Sequence, residues 1–126
     1  MHKSQLAGMI IDCQTDDLES AAAFWSQALG LEIVPPPAVE DPKYAILKTR
    51  PEDPYLEIQK VSHASRVHLD IESDDIEAEV KRLEQLGAKR LERIKTWVVM
   101  EAPTGQRFCV VPADKERFNQ TANRWP

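Results

Sequence analysis

Glu57 and Gln59 stand two apart in the run Tyr55-Leu56-Glu57-Ile58-Gln59, and His68 and Asp70 stand two apart in Val67-His68-Leu69-Asp70-Ile71. That spacing is the period of a strand, so each pair projects from one face while its apolar neighbours take the other. Leu56 and Ile58 are therefore expected on a core face, and so are Val67, Leu69 and Ile71. A histidine and a glutamate on one concave surface are acceptable ligands for a divalent cation. A carboxylate placed beside a carbonyl compound is a general base. Glu57 and His68 are thus the candidate catalytic residues and also the candidate metal ligands, with Gln59 and Asp70 as candidate substrate contacts. Each has a plainer reading. A strand histidine satisfies itself readily with hydrogen bonds at a half-buried site, and a single glutamate is at home at a solvent edge. Trp97 is open between lining a ligand site and packing inside a sheet. Ser62-His63-Ala64-Ser65 brings a hydroxyl and an imidazole close in sequence, but adjacent loop residues rarely make a catalytic pair. The glycines Gly8, Gly30, Gly87 and Gly105 form no phosphate-cradling loop, and the cysteines lack metal-finger spacing.

The elements that must position these residues are written twice. Leu6 to Cys13 reads as a buried strand. It is followed by Asp16-Asp17-Leu18-Glu19, in which Asp16 is expected to cap a helix and Glu19 to complete a capping box. Leu18, Ala21, Ala22, Trp25, Ala28 and Leu29 recur at helical spacing, and Gly30 ends the run. Val67 to Glu72 then repeats the strand, Asp74-Asp75-Ile76-Glu77 the box, and Ile76, Val80, Leu83 and Leu86 the stripe, closed by Gly87 and Ala88. Asp16 matches Asp74 and Gly30 matches Gly87 to within one residue of register, which points to an internal duplication. By that register Ile10 and Asp12 correspond to His68 and Asp70, making Asp12 a further candidate substrate contact.

After each helix come three strand patterns: Leu31 to Val34, Tyr44 to Lys48 and Tyr55 to Val61 in the first half, and Lys89 to Ile94, Thr96 to Glu101 and Gln106 to Val111 in the second. Pro35-Pro36-Pro37 and Arg50-Pro51-Glu52-Asp53-Pro54 break the first set, because proline cannot donate to a ladder. Ala102-Pro103-Thr104-Gly105 turns the last hairpin. One domain over residues 1–126 is expected, with repeats at about 6–61 and 67–112 and a polar, only partly ordered tail over 113–126, for which Trp125 is a candidate anchor.

The chain has 126 residues and a net charge of −5, which disfavours nucleic acid as a partner because that role needs clustered positive charge. The local basic run Lys89, Arg90, Arg93 and Lys95 lies among acids and reads as a solvated strand face. Two scattered cysteines, Cys13 and Cys109, make no disulfide framework, so a reducing, cytoplasmic setting with free thiols is the default. No apolar run has the length of a membrane span.

The pattern resembles the vicinal oxygen chelate superfamily, the glyoxalase and bleomycin-resistance proteins. The run Asp17-Leu18-Glu19-Ser20-Ala21-Ala22-Ala23-Phe24-Trp25 with Leu29-Gly30 is similar to its first-half signature. Val67-His68-Leu69-Asp70-Ile71 with Asp74-Asp75 and Leu86-Gly87-Ala88 is similar to its second-half signature, and Ala102-Pro103-Thr104-Gly105-Gln106-Arg107-Phe108-Cys109 resembles its hairpin. The resemblance covers roughly residues 6 to 112. It implies an α+β fold, two tandem β-α-β-β-β units forming a curved sheet around a cleft for a small organic molecule, and a homodimer. The implied activity is that of a lyase or isomerase. The alternatives are metal-free binding and sequestration of an antibiotic-type molecule, or a structural or regulatory interaction module. Family members that hold a divalent metal do so at positions matching Ile10, Glu57, His68 and Cys109, of which only Glu57 and His68 agree. Ile10 has no donor atom, and Cys109 stands where a glutamate is usual, so it joins the substrate-binding candidates. The expected cofactor is accordingly a divalent metal or none.

Overall fold

The computed structural model describes residues 1–34, 42–113 and 116–126, which divide into two compact units, residues 8–67 and residues 1–7 with 68–126. The expected break at Pro35-Pro36-Pro37 lies outside the described residues.

In the first unit, β1 (His2–Gln14, from Gly8 onward) leads into α1 (Leu18–Leu29), then β2 (Ile33–Val34), β3 (Tyr44–Leu47) and β4 (Tyr55–Val61). β4 runs parallel to β1, β3 antiparallel to β4, and β2 antiparallel to β3. The helix buries Ala22 against Ala45, Leu47 and Ile58, with Leu18, Trp25, Ile11 and Leu56 packed around them. Leu56 and Ile58 take the expected core side, and Trp25 is the core residue its helical spacing implies.

The second unit repeats this order. β5 (Arg66–Ser73) leads into α2 (Ile76–Gln85), β6 (Lys89–Ile94), β7 (Trp97–Glu101) and β8 (Arg107–Pro112). β8 runs parallel to β5, β7 antiparallel to β8, and β6 antiparallel to β7. Val80 and Leu83 of α2 pack on Val98, Met100 and Val110. The strand that opens each unit is thus neighbour to the strand that closes it, as a duplicated β-α-β-β-β unit requires. The architecture is mixed α+β, as expected.

Both helices end as read. Gly30 adopts φ 69°, and Leu31 N–H reaches Ser26 O at 3.1 Å; Gly87 adopts φ 105°, and Ala88 N–H reaches Leu83 O at 3.0 Å. Both are left-handed closures that glycine makes without steric cost. The starts differ by one residue from expectation. Asp17, not Asp16, caps α1, accepting from the Ser20 N–H at 3.1 Å and the Ser20 hydroxyl at 2.6 Å. Ser20 offers two donors to one carboxylate, which a capping box with Glu19 cannot match, and they hold Asp17 below the usual carboxylate range. Asp75 likewise caps α2 through Ala78 N–H, while Asp74 accepts from Lys3 N–H at 2.8 Å.

A larger correction concerns β5. Val67 and Leu69, expected under a helix, are 58% and 45% exposed, and of the three apolar residues only Ile71 packs against the α2 cluster. The reason is coverage: α2 spans ten residues and makes its main contacts with β6, β7 and β8. Alternation sets the face of a strand, but a short helix covers only part of it.

The tail is more ordered than its polarity suggests. It carries α3 (Glu116–Thr121), with Phe118 buried, and β9 (Asn123–Trp125), which pairs antiparallel with His2–Ser4. The Trp125 indole N–H donates to Ser4 Oγ at 2.8 Å, and the Arg82 guanidinium lies 3.8 Å from its ring centre. Two aromatic anchors supply the apolar burial that the rest of the tail lacks. The basic run is an ion-paired strand face, with Arg90 and Arg93 both bonded to the Glu77 carboxylate on α2.

Candidate functional site

In each unit the helix covers one sheet face and leaves the other to the residues singled out above. Directly paired residues on neighbouring strands share a face. In the first unit Ile10 pairs with Glu57 and Asp12 with Gln59 across β1 and β4, while Ile46 pairs with Glu57 and Tyr44 with Gln59 across β3 and β4. Ile11, Leu56, Ile58, Ala45 and Leu47 are all in the α1 core, so Ile10, Asp12, Glu57, Gln59, Tyr44 and Ile46 occupy the opposite side. The Glu57 carboxylate is half-buried in a row between two isoleucines. The Gln59 amide donates to Tyr44 Oη at 2.9 Å, which fixes its orientation.

Asp12 is buried, and Arg66 Nε lies 3.8 Å from its Oδ2. Sequence reasoning missed Arg66, because nothing in the linear spacing of residues 12 and 66 signals the pair. The Ser62 to Ser65 loop is hydrogen-bonded to β1. The Gln14 side-chain amide donates to Ser62 O and the Gln14 N–H to Ser65 Oγ, while the His63 ring contacts Ala64 O at 2.8 Å.

In the second unit Phe108, Val110, Val98 and Met100 belong with α2, so alternation turns Cys109, Val99 and Trp97 to the other face. His68 and Asp70 share that face, because Asp70 pairs with Cys109 and Cys109 with Val99. His68 Nε2 lies 3.6 Å from Asp70 Oδ1, and one donor atom each from His68, Asp70 and Cys109 fall within 4.8 Å of one another. Trp97 sits half-buried on this face, two residues along β7 from Val99. Glu72, next along the same face of β5, is committed to structure: the Gln5 amide donates to it at 2.8 Å, and Arg117 Nη2 lies at 3.9 Å. Neither Cys13 nor Cys109 is in a disulfide.

The structure thus brings His68, Asp70 and Cys109 together in one unit, and sets Glu57 and Gln59 side by side with Asp12 in the other. The four-residue metal set implied by the resemblance does not fit. Ile10 is the strand partner of Glu57, is 2% exposed, and offers no lone pair where a ligand should be.

A family model described as a glyoxalase-like domain matches residues 8–111, and the chain belongs to that family. No curated protein matches it in sequence. Methylmalonyl-CoA epimerase of Streptomyces coelicolor, solved with 2-nitronate-propionyl-CoA, is 17% identical with a TM-score of 0.61, over 88% of this chain and 98% of that one. Methylmalonyl-CoA epimerase of Mycobacterium tuberculosis is 16% identical with a TM-score of 0.63, over 88% and 89%. A Mn(II)-bound glyoxalase of Novosphingobium aromaticivorans is 17% identical with a TM-score of 0.61, over 89% of this chain and 40% of that one. These likenesses show the fold, a glyoxalase-like α+β fold, and nothing beyond it. No described helix is long and apolar enough to cross a membrane.

Proposed function

We propose that the chain binds a small carbonyl-bearing organic molecule on the helix-free faces and acts on it as an isomerase or lyase. Glu57, in the first unit, is the general base that removes a proton from the carbon beside a carbonyl, and His68, in the second, is the side chain suited to donate to an oxygen where charge develops. Gln59, Asp70, Trp97 and Cys109 orient the ligand, and Asp12 holds Arg66 on the same side. The observation that carries this reading is the Glu57 carboxylate set between Ile10 and Ile46, on the side away from the α1 core. Structural neighbours solved with acyl-CoA derivatives make 2-substituted acyl thioesters the first substrate class to try.

The test is deuterium incorporation from heavy water into a panel of 2-substituted acyl thioesters and α-hydroxyketones, read by mass spectrometry. Exchange is expected with the wild type, slowed by at least about 10²-fold in Glu57→Gln. Binding without exchange, unchanged in Glu57→Gln, would support the second reading, a metal-free sequestration protein. What favours that reading is Ile10 at the matched ligand position. A homodimer in the cytoplasm completes the proposal, with exposed Val67 and Leu69 on β5 as the apolar surface a second copy would cover. Sedimentation equilibrium should return twice the chain mass, and a monomer at micromolar concentration would contradict it.

A further inference from the structure

A second concave surface lies on the outer side of α2, away from the faces described above. Ala78, Lys81, Arg82 and Gln85 recur at helical spacing and so share one side of α2, while Ile76, Val80 and Leu83 turn to the core. His2 and Trp125 are direct partners across β1 and β9, so their side chains project from the same face. These six residues, with Met1 and Pro126, line a cleft of about 510 Å³, a volume in the range of small-molecule sites. His2 and Trp125 lie outside the residues 8–111 that match the family model, and none of the lining residues belongs to the helix-free faces.

We propose that this cleft binds a small arene carboxylate, with its ring against Trp125 and its carboxylate on Arg82 and Lys81. The arginine is fixed in advance. Its guanidinium lies 3.8 Å from the Trp125 ring centre, and its Nε and Nη2 each donate to Glu79 at 2.8 Å. Glu79 is fully buried and also bonded to the His2 ring, so the guanidinium cannot swing away without breaking a buried network. That pairing leaves the Nη1 N–H groups to an incoming acceptor. Charge selects the ligand class. Glu79 cancels the charge of Arg82, and exposed Lys81 adds one positive charge on the same side of the helix. A carboxylate balances that single charge, whereas a phosphate monoester brings close to two negative charges. The half-buried indole, Ala78 and the stems of both cations supply the apolar wall that an aromatic body needs. The chain as a whole has a net charge of −5, so an anion gains nothing from the overall field and binds only where local donors converge.

The experiment is an NMR titration of the full chain, isotope-labelled at the indole nitrogens, with 2-naphthoate. The three tryptophans report on three places: Trp25 on the α1 core, Trp97 on the helix-free face and Trp125 on the cleft. Trp97→Phe and Trp125→Phe assign the signals. The Trp125 indole N–H, which donates to Ser4 Oγ, should shift saturably at millimolar ligand, with Trp25 and Trp97 unmoved. 2-Naphthalenemethanol, with the same rings and no charge, should bind the same wild-type protein at least about tenfold more weakly. Lys81 is exposed and outside the core, so Lys81→Glu should fold and should weaken 2-naphthoate by about fivefold or more. No shift at Trp125, a shift at Trp97 in its place, equal binding of the alcohol, or unchanged affinity in Lys81→Glu would overturn the proposal. Tighter binding of 2-naphthyl phosphate than of 2-naphthoate would overturn the choice of a carboxylate.

Discussion

Gly8 lies beneath the ring of Tyr55, its partner across β1 and β4, and a methyl group added there would overlap the ring carbons. Gly8→Ala should therefore cost about 1–3 kcal/mol in urea denaturation, the range for overpacking, and the cost should shrink in a Tyr55→Ala background. An equal penalty in both backgrounds would place its origin elsewhere. Gly30 has open space around it but a left-handed backbone, so Gly30→Ala should cost about 1 kcal/mol from strain alone. The sequence shows why Gly30 is glycine, because a helix stripe ends there. It is silent on Gly8, whose reason is a ring 47 positions away. Asp12 shows the same limit. Alternation puts it on the correct face, yet its neighbour Arg66 is a tertiary fact that no local spacing encodes.

At the scale of elements, α2 is tied down by a fully buried carboxylate. Glu79 is bonded to Arg82 through two contacts of 2.8 Å and to the His2 ring at 2.8 Å. Burial pushes its carboxyl up, but the bonds from Arg82, His2 and Ser4 outweigh it, and the group stays below its ordinary value. Such a group contributes stability that is complete above the pKa of the unfolded carboxylate and is lost as pH falls through the lower folded value. Thermal unfolding should thus lose Tm more steeply below about pH 5 in the wild type than in Glu79→Gln. At neutral pH that variant should be destabilised by about 3 kcal/mol, because it leaves Arg82 without its charge partner. Equal acid slopes for the two proteins would remove Glu79 from the account. The elements themselves were largely legible, since caps, stripes and alternation are local. The exposure of Val67 and Leu69 was not legible, because it depends on where a ten-residue helix comes to rest.

At the scale of the molecule, the twice-written order of strands and helix was readable from one sequence because each copy carries its own caps and turns. The tail was legible only at Trp125, since α3 and β9 owe their order to that residue and to Phe118 rather than to any periodic pattern. We take the two units as one domain. Heat or urea should accordingly unfold the chain in a single transition, coincident by fluorescence and circular dichroism, and two separated transitions would refute that view. The candidate site was legible as strand faces but not as a cluster: alternation selected His68, Asp70 and Glu57 and the resemblance selected Cys109, while the grouping of His68 and Asp70 with Cys109 rests on a cross-strand register set by folding. The central claim is that the helix-free faces are the ligand-binding faces. It is tested most directly by NMR titration of the labelled chain with acyl thioesters. The account predicts shifts in the resonances of Glu57, Gln59, His68, Asp70 and Cys109, with Trp25 and Phe108 unmoved. Shifts confined to the helix-packed side, or none at all with any thioester, would contradict it.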